Sequence, residues 1–323
     1  MKSQEIPPDV LHAFGLHDAE AVTRLGGTRN ANYCVRTPGR TLFLRLRHPD
    51  YCDPAWIRFD HDAVRFLRRR GAAVLAPIPL PGGETSLENA GRTWEAYPWV
   101  EGDSFPETDE ALESLAVNLA RFHAAGKAFP DTFRPGGFAR GETTPGRLLE
   151  IAQRLRAECG EVARFYAGQV ETAAGRLDDD TYHSLAPTLV HGDVQPANII
   201  YSGSEVACFV DYDWLGRQPA IYDLAAALIL FCARREELID GGDIWSLSMP
   251  FVFDEVKGRR FIEAYGVGVP QEPGIRPLLM EQVRLTWSHI RLSGALKVPT
   301  GERTAFLERD VERPFKWIDN ACK

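Results

Sequence analysis

The sequence predicts a two-lobed α+β fold, with a small antiparallel β lobe carrying one helix (residues 1–97) ahead of a larger, mainly helical lobe (residues 98–323). Three observations lead there. Residues 21–47 alternate apolar and polar side chains between glycine-containing turns, the period-2 signature of strands. From Glu107 onward the apolar residues recur at helical spacing. Inside that helical stretch, a short hairpin pattern runs from Asn198 to Val210.

In the first lobe, Ala21–Leu25, Asn32–Arg36 and Thr41–Leu46 read as strands joined by turns at Gly26-Gly27 and Pro38-Gly39. Trp56–Arg70 has helical periodicity, with Ile57, Phe59, Ala63, Val64, Phe66 and Leu67 on its apolar face. Gly71 suits the C-terminal cap of that helix. Two further strands are predicted around Ile78–Leu80 and Thr93–Tyr97. In the second lobe, helices are predicted over Leu112–His123, over a charged amphipathic segment at 146–177, and over Glu281–Leu292. The longest apolar stretch, Leu224 to Ala233, is ten residues, too short to span a bilayer and suited to a buried core helix. No internal repeat or low-complexity run interrupts the chain.

At 323 residues, with 44% hydrophobic and 25% charged residues, the chain can bury a sizeable core and has an ordinary globular composition. Its net charge of −8 argues against a nucleic-acid partner and is compatible with a cationic substrate. The six cysteines show no Cys-x-x-Cys pair or metal spacing, so they read as reduced, buried residues of an intracellular protein. The N-terminus has no apolar core of a secretion signal. The expectation is a cytoplasmic protein without a membrane partner.

The chemistry is concentrated in His191-Gly192-Asp193-Val194-Gln195-Pro196-Ala197-Asn198 and the hairpin that delivers Asp211. An aspartate is followed five residues later by an asparagine, and thirteen residues after that by a second aspartate. The strands Asn198–Tyr201 and Val206–Val210, joined by a turn at Ser202–Glu205, return Asn198 and Asp211 to one end of a ribbon. Two oxygen ligands side by side suit a hard cation such as Mg2+, which takes its other ligands from phosphate and water. Asp193, one loop away, can accept a proton from a hydroxyl. Together these groups have the layout of ATP-dependent phosphoryl transfer.

This run resembles the protein-kinase catalytic loop H-R-D-x-x-x-x-N, with glycine in place of arginine. The His-Gly-Asp variant, with Val210-Asp211-Tyr212-Asp213-Trp214 and then Asp223-Leu224-Ala225, is similar to the aminoglycoside phosphotransferase, choline kinase-like and type II homoserine kinase-like family. The resemblance covers almost the whole chain and implies a protein kinase-like fold. It implies that Asp193 is the base, that Asn198 and Asp211 hold Mg2+, and that ATP is the phosphoryl donor.

The same resemblance extends to the N-terminal lobe. Leu25–Val35 looks like the family's phosphate-covering loop, usually G-G-x-x-N-x-x-Y-x-V, which places Gly26, Gly27 and Asn30 against phosphates. Arg45 occupies the place of the strand-3 lysine that pairs the α and β phosphates. Asp60, or else Asp62, is the expected carboxylate partner of Arg45 on the following helix. Adenine is expected at the linker Ala96–Gly102, with Tyr97 and Trp99 either stacking on it or packing between the lobes.

Asp223 reads as a scaffold residue at a helix N-cap, able to accept backbone N–H groups of the catalytic loop. His123 is expected to pack. Asp213 could reach a second metal or the substrate, or cap a turn. On the acceptor side, Arg284, Trp287 and Arg291 can share one helix face, either meeting a carboxylate with His289 or forming a core tryptophan flanked by solvated arginines. The Asp178-Asp179-Asp180 run reads as a solvated loop entry.

The expected activity is phosphorylation of a hydroxyl on a small molecule, such as an amino alcohol, an amino acid like homoserine, a sugar or an aminoglycoside. A kinase acting on protein Ser/Thr is the alternative, lowered by the lack of an Ala-Pro-Glu segment after Asp211. A nucleotide-binding pseudokinase with an interaction role is the third, although Asp193, Asn198 and Asp211 are all present.

Overall fold

A computed structural model of the chain describes residues 6–26, 29–130, 143–235, 243–249, 251–268 and 275–321. A short helix α1 (Pro8–Ala13) precedes a five-stranded antiparallel sheet of β1 (Ala21–Leu25), β2 (Ala31–Thr37), β3 (Arg40–Leu46), β4 (Leu87–Asn89) and β5 (Arg92–Pro98). The spatial order is β1-β2-β3-β5-β4. Between β3 and β4 runs α2 (Pro54–Arg69).

The period-2 pattern does what it predicts in β3. Leu42, Leu44 and Leu46 enter a small core with Val10, Phe14 and Leu16, Tyr33 and Val35, Trp94 and Ala96. The odd-numbered side chains, Arg45 and then Arg47 just past the strand, emerge on the opposite face. Helix α2 begins as its sequence dictates: Pro54 occupies the first turn, and the Asp53 side chain accepts the N–H groups of Ala55 (2.7 Å) and Trp56 (3.2 Å). Gly71 follows at φ +81°, the expected terminator.

The expected strand at Ile78–Leu80 does not form; the strand beside β5 is instead β4, nine residues further on. Pro77, Pro79 and Pro81 alternate through that segment and can donate no ladder hydrogen bond, so only isolated bonds such as Ile78 N–H to Ala96 O (2.7 Å) survive.

The larger part contains α3 (Asp109–Lys127), α4 (Pro145–Ala174), α5 (Asp179–Ser184), α6 (Ile221–Phe231), α7 (Glu255–Gly268), α8 (Ile275–Ala295), α9 (Arg303–Glu308) and α10 (Arg313–Ala321). Two-stranded ribbons are set among them: β6 (Pro187–Val190) with β9 (Gly216–Pro219), β7 (Ile199–Ser202) with β8 (Glu205–Phe209), and β10 (Ala233–Arg235) with β11 (Phe251–Phe253). The 146–177 segment is not one straight helix, since α4 breaks stride at Gly160 (φ +49°, ψ −116°). α6 is apolar on almost every face and buried, as the ten-residue apolar run requires. No described helix is long and apolar enough to cross a membrane.

The two parts share more than a linker. Phe59, Ala63, Val64 and Leu67 of α2 pack into the large core beside Leu112, Leu115 and Leu119 of α3. Phe209 N–H donates to Ala73 O (2.8 Å), while Asp103 and Tyr201 exchange both backbone hydrogen bonds (2.9 Å each). The chain before and after β5 is therefore stitched onto the β7–β8 ribbon. Among the described residues no disulfide forms; Cys34, Cys159, Cys208 and Cys232 are buried, and Cys52 is half-buried.

Candidate active site

His191 to Asn198 form a loop between β6 and β7, pinned from beneath by one carboxylate. Asp223 accepts the backbone N–H groups of His191 (2.7 Å) and Gly192 (3.0 Å), and lies 3.0 Å from His123 Nε2, whose Nδ1 is 2.9 Å from the Tyr265 hydroxyl. The scaffold role expected of Asp223 holds, but its place is the third residue of α6 and not the N-cap, which is Ala220. His191 Nε2 lies 3.0 Å from Val210 O, tying the loop to the ribbon that ends in Asp211. Gly192 cannot be replaced by a larger residue without rearrangement. Its φ is +82°, and a Cβ there would stand 2.0 Å from Trp214 O.

Asp193 faces the cavity between the lobes. Its Oδ2 accepts hydrogen bonds from Gln195 Nε2 and Asn198 Nδ2, both at 2.8 Å. Burial, and then the neighbouring Asp211 charge, push its pKa up to about 6, against the pull of His191 and the two amide donors. A carboxylate tuned to about 6 is mostly ionised at neutrality, as a base must be, yet close enough to it to exchange a proton at physiological pH.

The ribbon forms as its sequence predicts, with Ser202 opposite Glu205 and Ile199 opposite Phe209. Val210 N–H donates to Asn198 O (2.9 Å), so Asn198 and Asp211 do stand at the same end. Asp211 adopts φ +66°, a conformation that costs a non-glycine residue about 1–2 kcal/mol and that aspartate tolerates better than most. Its side chain is 41% exposed toward the cavity. The Asn198 amide nitrogen is turned onto Asp193, leaving the amide carbonyl as the second oxygen donor. This donor set, one carboxylate and one amide oxygen, fits Mg2+. Among the described residues no cluster of three His, Cys, Asp or Glu could hold an ion unaided, so phosphate and water must complete any such site.

The pairing expected of Arg45 is different in the structure. Arg45 Nη2 lies 2.7 Å from Asp211 Oδ1 and 2.7 Å from Asp213 Oδ2. Asp60 is instead 3.5 Å from Arg47, and Asp62 is exposed on the outer face of α2. The reason lies in the strand period: Arg47 follows Arg45 on the same face, and it is Arg47 that reaches the aspartate. Arg47 also pairs with Glu95, and lies 3.3 Å from Asp213. His61 lies 3.0 Å from Glu95. Burial opposes the charges of Arg45 and Glu95, but Asp211 and Asp213 hold the Arg45 pKa above its ordinary value, and Arg47 holds Glu95 well below the carboxylate range.

Asp213 is a buried carboxylate. It is 3% exposed and accepts from three residues of the N-terminal part: Asn30 Nδ2 (2.7 Å), Arg45 (2.7 Å) and Arg47 (3.3 Å). Asn30 Oδ1 meanwhile accepts the His48 N–H (2.8 Å). The sequence reading missed Arg47, Glu95 and His61. One signal was present, since Leu44-Arg45-Leu46-Arg47 puts both arginines on one strand face.

Of the other nucleotide-side residues, Gly26 O accepts the Asn32 side chain (3.1 Å), and Gly27 lies outside the described residues. Ala96 is fully buried with its carbonyl engaged by Ile78. Tyr97 points inward, donating its hydroxyl to Glu95 (3.1 Å), and Trp99 donates its indole N–H to Glu101 (2.7 Å). Tyr97 is thus a packing residue.

A cavity of about 530 Å³ opens in front of Asp193, Asp211 and Asp213, with Thr286, His289, Ser293 and Lys297 on the facing wall. Trp287 is in the core, 2% exposed, as one reading of α8 had it, but the flanking arginines are not solvated. Arg284 is held by Gln169, Glu281 and Asp319, and Arg291 donates to the backbone carbonyls of Ser248, Phe306, Leu307 and Arg309. The Asp178–Asp180 run caps α5, Asp178 accepting the Thr181 N–H (2.8 Å).

With this geometry in hand, the chain can be set beside known proteins. A family described as the phosphotransferase enzyme family matches residues 20–258. Over 92% of its length the chain is 26% identical to a homoserine kinase of Methylobacterium nodulans, covering 89% of that protein. It is 27% identical over 67% of its length to stress response kinase A of Salmonella choleraesuis, covering 65% of that protein. Among solved structures, the amicoumacin kinase hAmiN, in complex with AMP-PNP, Ca2+ and Ami, has the same fold: TM-score 0.67 at 17% identity, over 93% of this chain and 88% of that one. The chain belongs to the phosphotransferase enzyme family, kinases that phosphorylate hydroxyl groups of small molecules.

Proposed function

We propose that this protein transfers the γ-phosphoryl group of ATP to a small-molecule hydroxyl in the cytoplasm, with Asp193 as the base. The observation that carries the reading is the Asp193 carboxylate, held on one oxygen by Gln195 and Asn198, raised to about 6, and open to the cavity beside Asp211. The acceptor oxygen forms a bond to the γ-phosphorus as the bond to the bridging oxygen breaks. ADP leaves with that electron pair, and the hydroxyl proton passes to Asp193 late in the transfer.

Asn198 and Asp211 are the residues that would hold Mg2+, which when bound supplies charge neutralisation of the phosphates. Gly26, Asn30 and Arg45 would face the phosphates, and the linker from Ala96 through Trp99 would border the adenine. The division of labour runs at residue 97, with 1–97 for nucleotide and 98–323 for catalysis and acceptor. The AMP-PNP and Ca2+ bound by amicoumacin kinase support a nucleotide and a divalent cation here. The homoserine kinase relative supports an acceptor of the amino-acid or amino-alcohol size, ahead of a sugar or an aminoglycoside.

The test is Asp193→Asn. ATP binding by calorimetry should stay within about twofold, while turnover falls by about 10²-fold or more, as for loss of a positioned base. Because the pKa is raised, the base is lost by protonation as pH falls: the parent kcat should plateau above pH 6 and decline below it, with an apparent pKa near 6. The residual activity of the variant should lack that acid limb. Turnover within a few-fold of the parent, or an unchanged limb, removes Asp193 from the role.

A further inference from the structure

We infer that the acceptor carries an anionic group, a carboxylate in the simplest case, seated at Lys297 across the cavity from Asp193. The inference rests on the kinase reading above and names the substrate class of the same site.

Most of the charges that line the cavity are already committed. On the base side, Asp211 and Asp213 are held by Arg45 and Arg47, and Asp193 is kept for the proton. Asp243, at the mouth, caps the short helical turn Ile244–Ser248 by accepting the Trp245 N–H (2.9 Å). Of the cations lining the cavity, Arg29 is paired with Asp50 (2.8 Å). Lys297 is different. It stands just past the end of α8, its backbone N–H folded onto Gly294 O (2.9 Å), and among the described residues it makes no ion pair. The wall facing the base therefore presents an ammonium with no ion-pair partner among the described residues.

Its surroundings sharpen that charge. Burial, and then Arg29, lower the Lys297 pKa, and the Asp193 charge offsets them in part. Burial, then Lys297 and Arg147, bring His289 down to about 4, which leaves its imidazole neutral at physiological pH. Neutral His289, 3.3 Å from the Ser293 hydroxyl, adds hydrogen-bonding groups beside the ammonium without cancelling it. An anion placed there gains a charge-assisted hydrogen bond. A polycationic acceptor meets the same wall as repulsion, despite the net charge of −8 on the chain.

Matched acceptors test this. ADP release with ATP and Mg2+ is measured for L-homoserine and L-serine against 3-aminopropan-1-ol and ethanolamine, which lack only the carboxylate, and against kanamycin. The parent should favour a carboxylate-bearing member of a pair by roughly 10-fold or more in kcat/KM. Lys297→Gln should raise the KM for that acceptor by roughly 10- to 100-fold, with kcat within about threefold and the KM for ATP unchanged. Lys297→Arg should restore most of the affinity. Turnover confined to the decarboxylated amines or kanamycin, or an equal KM rise on both members of a pair, overturns the inference and leaves the kinase reading standing. ADP release with no acceptor in the panel overturns both.

Discussion

Replacing Asp213 by alanine tests whether the two parts of the molecule are held together by buried charge. The carboxylate is 3% exposed and accepts from Asn30, Arg45 and Arg47; the two arginines are themselves only 4% and 1% exposed. Its removal leaves each guanidinium with other partners, Asp211 for Arg45 and Glu95 for Arg47, so the cost falls at the lower end of that for breaking a buried ion pair, about 3 kcal/mol. At about 2 °C per kcal/mol for a chain of this size, the Tm should fall by about 6 °C. Asp211→Ala is the control. Its carboxylate is 41% exposed, solvent screens the pair, and Arg45 keeps Asp213, so the cost is about 1 kcal/mol or less and the Tm shift about 2 °C. Both are read by scanning calorimetry at neutral pH without nucleotide. A Tm for Asp213→Ala within 2 °C of the parent, or a loss no larger than that of Asp211→Ala, would refute the reasoning.

Gly192→Ala must move a backbone carbonyl as well as strain φ, so folded yield should collapse or stability fall by about 3 kcal/mol or more. Gly203→Ala, at φ +62° with open space around it, should cost only about 1–2 kcal/mol; equal losses in thermal melts would show that the contact with Trp214 is unimportant. Asp211→Ala should also abolish the tightening of ATP by Mg2+ in calorimetry. Undiminished tightening would move the metal away from the ribbon.

Local features of this chain were legible and long-range partners were not. The hairpin between Asn198 and Asp211, the end of α2 at Gly71 and the apolar run of α6 are set by neighbours a few residues apart, where spacing and propensity decide. The Ile78 segment misled because its apolar content was read before its prolines, which remove the donors a strand needs. The Arg45 partner could not be read by counting along α2, because the choice between Asp60 and the more distant Asp211 and Asp213 depends on how helix and ribbon meet the strand. A sequence separation of 166 residues carries no periodicity. Likewise Arg284 and Arg291 were placed on the right helix, but burial of an arginine against four carbonyls follows from packing that no single helix encodes.

Helix α8 presents two faces with different tolerance for change. Leu285, Trp287, Arg291, Leu292 and Ala295 are locked into the core, where altered volume or lost hydrogen bonds are felt at once. Thr286, His289, Ile290 and Ser293 lie about a turn apart along the cavity, and Lys297 follows beyond the helix end. Evolution can therefore edit the acceptor wall by substitution on one stripe of one helix, while the base, the ribbon and the pinned loop stay untouched on other elements. A combinatorial library confined to His289, Ile290, Ser293 and Lys297, leaving the buried Thr286 in place, should sample new acceptors at nearly constant fold stability, which makes this stripe the natural place to retarget the enzyme.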